Sequence, residues 1–270
     1  MALVFVRFLT NAHVRVDVAR HVPRVCRAPV PTVALDAART CPGHPRGAPV
    51  RITGVSARGW AGTVRGRSSV SPGLVVLVLP GGRVSDRRRA RRWQSANLRM
   101  ASFARGLRRA GQSHGVGVWL ARYRLRGWNG SDRSPVPDVR RTLAEIRRRH
   151  GDVPVVLIGH SMGGRVGAVV ADEPQVQALL ALAPWWPDGE GARVPLSVRL
   201  AVAHGTADRW TDPFASQMQV ELARARGVDA TWIAVPGAGH AMIRHRDVWN
   251  RIAVDFILDQ SRRVSSPNVS

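Results

Sequence analysis

Three side chains in this sequence have the types and the order for nucleophilic catalysis: Ser161, Asp208 and His240. Ser161 is the centre of Gly159-His160-Ser161-Met162-Gly163, a G-x-S-x-G pattern. In a strand-turn-helix setting the serine sits on a tight, strained turn, and its neighbours must be small, which accounts for Gly159 and Gly163. A serine hydroxyl is a weak nucleophile until a base takes its proton. His240, after Gly237-Ala238-Gly239, is the expected base. Asp208, at the end of His204-Gly205-Thr206-Ala207-Asp208, is the expected acid that orients it. Asp212 and His245 are the alternatives. Asp212 is better explained as the cap of the following helix, and His245 as the start of the last one.

Acyl transfer also needs N–H donors for a developing oxyanion. One is expected from Met162, directly after the nucleophile. The other is expected from Pro80-Gly81-Gly82-Arg83, where Gly82 or Arg83 can donate. His160 and His204 are expected to pack beside the site. His160, Trp128, Trp185, Trp186 and Trp210 are candidates to line a substrate pocket, with plain core or rim packing as an equal alternative for the tryptophans.

The surrounding sequence supplies elements that place these residues. Leu74–Leu79 is a continuous apolar run rich in valine, the look of a strand buried on both faces. Further strands are predicted over Val116–Leu120 and residues 153–158, 176–183, 198–203 and 231–235. Helices are predicted over 95–110 (Leu98, Phe103 and Leu107 inward, Gly111 as the stop), 137–150, 162–171, 213–226 and 247–258. Residues 50–55 and 61–64 read as an antiparallel hairpin. Strands alternating with helices predict an α/β fold, a mainly parallel sheet with helices on both faces. Ligands of such sheets bind beyond the carboxyl ends of the strands, and Ser161, Asp208 and His240 each follow a predicted strand.

These segments together resemble the α/β-hydrolase superfamily, most nearly the compact bacterial hydrolases grouped with serine aminopeptidases and dienelactone hydrolases. The residues that carry the resemblance are Gly159 to Gly164, His204 to Asp208 and on to Pro213, and Gly237 to His240. It implies the α/β-hydrolase fold over residues 49–262 and a serine hydrolase with the triad Ser161, Asp208 and His240. In this superfamily a cap is usually inserted after the strand that follows the nucleophile helix. Here that connection, residues 184–197, is too short for a multi-helix cap. The expected substrate is therefore a small-molecule ester, amide or thioester with a small or medium acyl group.

Residues 1–48 lack periodicity and contain Pro23, Pro29, Pro31, Pro42 and Pro45, so they read as a weakly ordered extension; 263–270 read as a tail. Only two cysteines occur, and no metal-ligand spacing appears, so neither a disulfide framework nor a metal or other cofactor is expected. The apolar start is short and broken by Arg7, a poor signal peptide, and no apolar run is long enough to span a membrane. A cytoplasmic protein is the expectation, and the oligomeric state is open. The formal net charge is +23, and all 41 cationic residues are arginine. That charge admits a second reading, a non-catalytic hydrolase-like scaffold that binds nucleic acid or another polyanion. The arginines are scattered over several predicted helices and lack interleaved aromatics, so nucleic acid is not the expected partner.

Overall fold

The computed structural model describes residues 71–266. The predicted extension at 1–48 and the hairpin at 50–55 and 61–64 lie outside the described residues. The described chain runs β1 (Leu74–Leu79), α1 (Ser95–Gly111), β2 (Val116–Leu120), α2 (Val136–His150), β3 (Val155–His160), α3 (Met162–Val169), β4 (Val176–Leu182), β5 (Arg199–Gly205), α4 (Pro213–Ala225), β6 (Ala230–Val235) and α5 (Arg246–Ser265). All six strands are parallel, in the order β2-β1-β3-β4-β5-β6.

Side chains alternate across each strand, so a central strand covered on both faces must be apolar throughout. In β1 every residue is buried. Val75, Leu77 and Leu79 face the layer built by Val139, Leu143 and Ile146 of α2, Val166 of α3 and Val220 of α4. Leu74, Val76 and Val78 face the opposite layer, with Met100, Phe103 and Leu107 of α1 and Trp249, Ala253 and Ile257 of α5. The sheet thus divides two cores, and its strand ends are held rigidly between them.

The chain moves from β1 outward to β2, then back across β1 to β3. The connections leaving β1 and β3 therefore diverge, and the crevice between them is the switch point where such sheets bind ligands. The β4–β5 connection contains only the short 3₁₀ turn Gly191–Arg193, and no cap domain is inserted there.

Three expectations need correction. Leu98 is 56% exposed. The inward face of α1 is instead Met100, Phe103, Ala104, Leu107 and Gly111, spaced three and four apart, and Leu98 falls off that stripe. Gly111 ends α1 as expected. The chain continues into a 3₁₀ turn, Gln112–His114, and reverses at Gly115, whose φ of +66° suits glycine. The third strand is displaced by two residues. Gly159 and His160 still pair, with Leu79 and with Ala181 and Leu182, so the strand delivers the chain directly to Ser161. α5 runs on to Ser265, past the boundary at 262.

Candidate active site

β3 ends at His160, α3 begins at Met162, and Ser161 is the single residue between them. Its φ of +55° and ψ of −119° lie in a region costly for any side chain. The sequence permits this because its neighbours carry no Cβ. A Cβ on Gly159 would meet the Gly163 carbonyl oxygen at 2.3 Å, and one on Gly163 would meet the Leu79 carbonyl oxygen at 2.2 Å. Both contacts are with backbone, which cannot give way. The Ser161 N–H donates to the Leu182 carbonyl at 3.0 Å, tying the turn to the end of β4.

The acid and base come from the loops after β5 and β6. Those loops touch through backbone: the Ala207 N–H donates to the Ala238 carbonyl at 3.0 Å, and a Cβ on Gly205 would lie 2.2 Å from that same oxygen. The approach brings Asp208 to His240. Asp208 Oδ2 accepts from His240 Nδ1 at 2.8 Å, and His240 Nε2 lies 2.9 Å from Ser161 Oγ. Asp212 does not join them; it caps α4, accepting from the Phe214 N–H. His245 is the residue before α5, also outside the group.

Asp208 has no solvent-exposed side-chain surface. Burial works to raise its pKa, but hydrogen bonds from His204, His240 and the N–H groups of Trp210 and Thr211 outweigh it and hold the carboxyl well below the usual range. The carboxylate is therefore acceptor-only, which fixes the proton on His240 Nδ1 and leaves Nε2 free to accept from Ser161. The same argument makes His204 Nε2 a donor to Asp208 Oδ2, at 3.1 Å. The Thr211 hydroxyl donates to that oxygen at 2.8 Å.

His160 is fully buried under the site and bonds the His240 carbonyl oxygen through Nε2 at 2.8 Å. Burial, reinforced by His240, pushes its pKa down to about 3, so it stays neutral. It holds the His240 loop rather than lining a pocket.

Of the expected oxyanion donors, Met162 stands at the first position of α3, where an N–H has no partner inside the helix. The Arg83 N–H is already committed to the Arg126 carbonyl at 3.0 Å. That corrects Arg83 and leaves Gly82 as the second position. A Cβ there would collide with the Met162 thioether and, at 2.6 Å, with the Arg126 carbonyl. The Tyr123 hydroxyl donates to the Pro80 carbonyl at 3.1 Å and anchors this loop. Burial raises the Tyr123 pKa, so the donor keeps its proton.

The tryptophans divide. Trp128 is buried in the core, with the Arg165 guanidinium 4.0 Å from its ring centroid. Trp186 is also buried, its Nε1 donating to the Gly164 carbonyl at 3.1 Å. Both are corrected from pocket lining to support, because their rings fill space behind the elbow. Trp185 is half-buried, covers Arg165 from another side, and donates its N–H to the Ser161 carbonyl. Trp210 alone of the four is open at the site, 83% exposed beside His240. Sequence reasoning missed Tyr123, Thr211 and Arg165. Arg165 is buried on Glu190 and Asp188, and its position one turn after Ser161 was the available signal.

Among the described residues no group of three or more His, Cys, Asp or Glu is placed to hold a metal, and no helix is long and apolar enough to cross a membrane.

Residues 75–216, more than half of the chain, match the model of the alpha/beta hydrolase family. That segment contains Ser161 and Asp208. No curated protein matches the sequence. Among solved structures, the chain is similar to a putative α/β hydrolase from Agrobacterium tumefaciens (TM-score 0.56, 18% identity, 73% of this chain and 88% of that one). It is also similar to a lidless α/β serine hydrolase from Xanthomonas campestris (0.53, 19%, 74% and 86%). A third is an uncharacterized protein from Bacillus cereus (0.53, 15%), where the match covers 72% of this chain but 61% of that one. At these identities the likeness is one of fold, and the family match stands beside it: the chain belongs to the α/β-hydrolase family.

Proposed function

We propose that the protein is a serine hydrolase that cleaves small or medium acyl esters through an acyl-enzyme on Ser161. The observation that carries this reading is the continuous series from Ser161 Oγ through His240 to Asp208, with bonds of 2.9 and 2.8 Å. His240 Nε2 takes the hydroxyl proton as Ser161 Oγ bonds to the acyl carbonyl carbon. The carbonyl oxygen becomes an oxyanion held by the N–H groups of Met162 and Gly82. The tetrahedral adduct collapses, and His240 gives its proton to the departing alcohol. Water then repeats the sequence on the acyl-enzyme: His240 takes a water proton, hydroxyl adds to the carbonyl, and the acid leaves as Ser161 regains its proton.

The acyl size follows from the β4–β5 connection. A connection this short, with no cap inserted in it, does not by itself enclose a long chain, so each further CH₂ is expected to stop gaining the roughly 0.8 kcal/mol that its burial would give. The second reading, a polyanion-binding scaffold, is less favoured. Many arginines are engaged locally, as Arg140 with Glu173, Arg148 and Arg149 with Glu145, and Arg199 with Asp259. The test is kcat/KM over nitrophenyl esters from acetate to palmitate. Activity highest at acetate or butyrate and declining sharply beyond supports the reading. Preference for palmitate contradicts the acyl size, and inertness toward every ester contradicts the ester chemistry.

A further inference from the structure

On the sheet face away from α2, α3 and α4, a cleft of about 60 Å³ separates α1 from the first turn of α5. At roughly 15 Å³ for each water-sized position, it holds a group of about four such units, the size of a carboxylate or a phosphate. Arg99, Ser102 and Gly106 line it from one face of α1, spaced three and four residues apart. Arg246, Trp249 and Asn250 line it from one face of α5, with the same spacing.

The lining contains two arginines and no carboxylate. Neither Arg99 nor Arg246 forms an ion pair among the described residues; the Arg246 guanidinium reaches only the Ser102 hydroxyl, at 3.4 Å. Burial pulls the Arg99 pKa below its ordinary value, so the charge is partly stripped of water without a counter-charge to offset the loss. Trp249 is 1% exposed, and its Nε1–H is buried without an acceptor. A buried donor left unmatched costs free energy, and Trp249 is one of the residues that line the cleft. A Cβ on Gly106 would meet nothing within 4 Å, so α1 leaves this side open.

We infer that the α1–α5 cleft is a binding site for a small oxyanion, the phosphate or carboxylate group of a metabolite, held by Arg99, Arg246 and the Trp249 indole N–H. The inference does not rest on the hydrolase reading.

Calorimetric titration of the full chain with inorganic phosphate and with acetate, in 150 mM sodium chloride, tests it. One saturable site is expected for at least one of the two anions, and the anion bound more tightly assigns the group. Arg99→Gln and Arg246→Gln should each weaken it about tenfold or more, as loss of a charge-assisted hydrogen bond does. Trp249→Phe should weaken it several-fold while the core volume is nearly kept. Arg105→Gln, an exposed position on α1 outside the cleft, should leave binding unchanged, as should Ser161→Ala. No saturable binding of either anion overturns the inference. Binding that Arg99→Gln and Arg246→Gln leave unchanged, in variants with native circular dichroism, overturns it too, because it then belongs to the general basic surface.

Discussion

The indole of Trp210 lies over the imidazole of His240, ring centroids 5.5 Å apart and planes within 26° of parallel. Trp210 also donates its backbone N–H to Asp208 Oδ1 at 2.8 Å, so one residue braces both partners of Ser161. Stacking of this kind is worth about 0.5–1.5 kcal/mol. Trp210→Ala keeps the backbone bond and removes the ring. It should lower kcat/KM for short esters by about two- to tenfold and leave thermal stability nearly unchanged, since the ring is exposed. Steady-state kinetics and a thermal melt on the same sample check this.

The elbow glycines should be far less tolerant. Gly159→Ala and Gly163→Ala each place a Cβ within 2.3 Å of backbone oxygen. Strain of this kind is among the few routes to a severe single-site effect. Each should lower Tm by several degrees and abolish ester hydrolysis, read by differential scanning calorimetry beside activity. A variant with wild-type Tm and turnover would show that the turn is not built as described.

His204 donates to the same carboxylate oxygen as His240. It touches neither Ser161 nor any reacting atom, so it acts as a positioning residue. His204→Leu should lower kcat by about tenfold, a fraction of the roughly 1.5–3 kcal/mol of a charge-assisted bond. With one donor fewer, Asp208 is held less firmly against His240, so kcat should fall while KM for short esters stays nearly unchanged. A general loss of structure would lower Tm and raise KM as well.

Acid should destabilise the fold through two groups. His160 binds its proton only near pH 3 in the folded state, whereas an unfolded histidine binds it near 6.5. Between those values the unfolded state holds more protons, so stability falls as pH falls, by at most about 1.4 kcal/mol per unit. Asp208, also depressed, adds a loss that begins near its unfolded value of 3.8. Tm should therefore decline from pH 6.5 to 4. His160→Gln, which cannot titrate, should flatten that slope, and thermal melts across the range decide it.

The fold and the triad were legible because they rest on local patterns. The apolar run of β1, the glycines around Ser161 and the strand-loop positions of Asp208 and His240 each follow from one short stretch of sequence. What escaped depended on contacts between distant segments. Arg83 looked free to donate until residue 126 took its N–H, and Trp128 and Trp186 looked like a rim until Arg165 and Gly164 drew them inward. Leu98 failed for a smaller reason: Phe103 and Leu107 do lie on the buried face, but that face continues through Met100 and Ala104, and Leu98 falls off its spacing.

The central claim is that Ser161 is the nucleophile, and mass spectrometry of the chain after treatment with a fluorophosphonate tests it most directly. The account predicts one adduct per chain, on the peptide that contains Gly159 to Gly163, absent in Ser161→Ala and much slowed in His240→Ala. Turnover in the alanine variant should fall by several powers of ten, about 10⁶ in comparable triads. An adduct on another residue, or full labelling of Ser161→Ala, would contradict it.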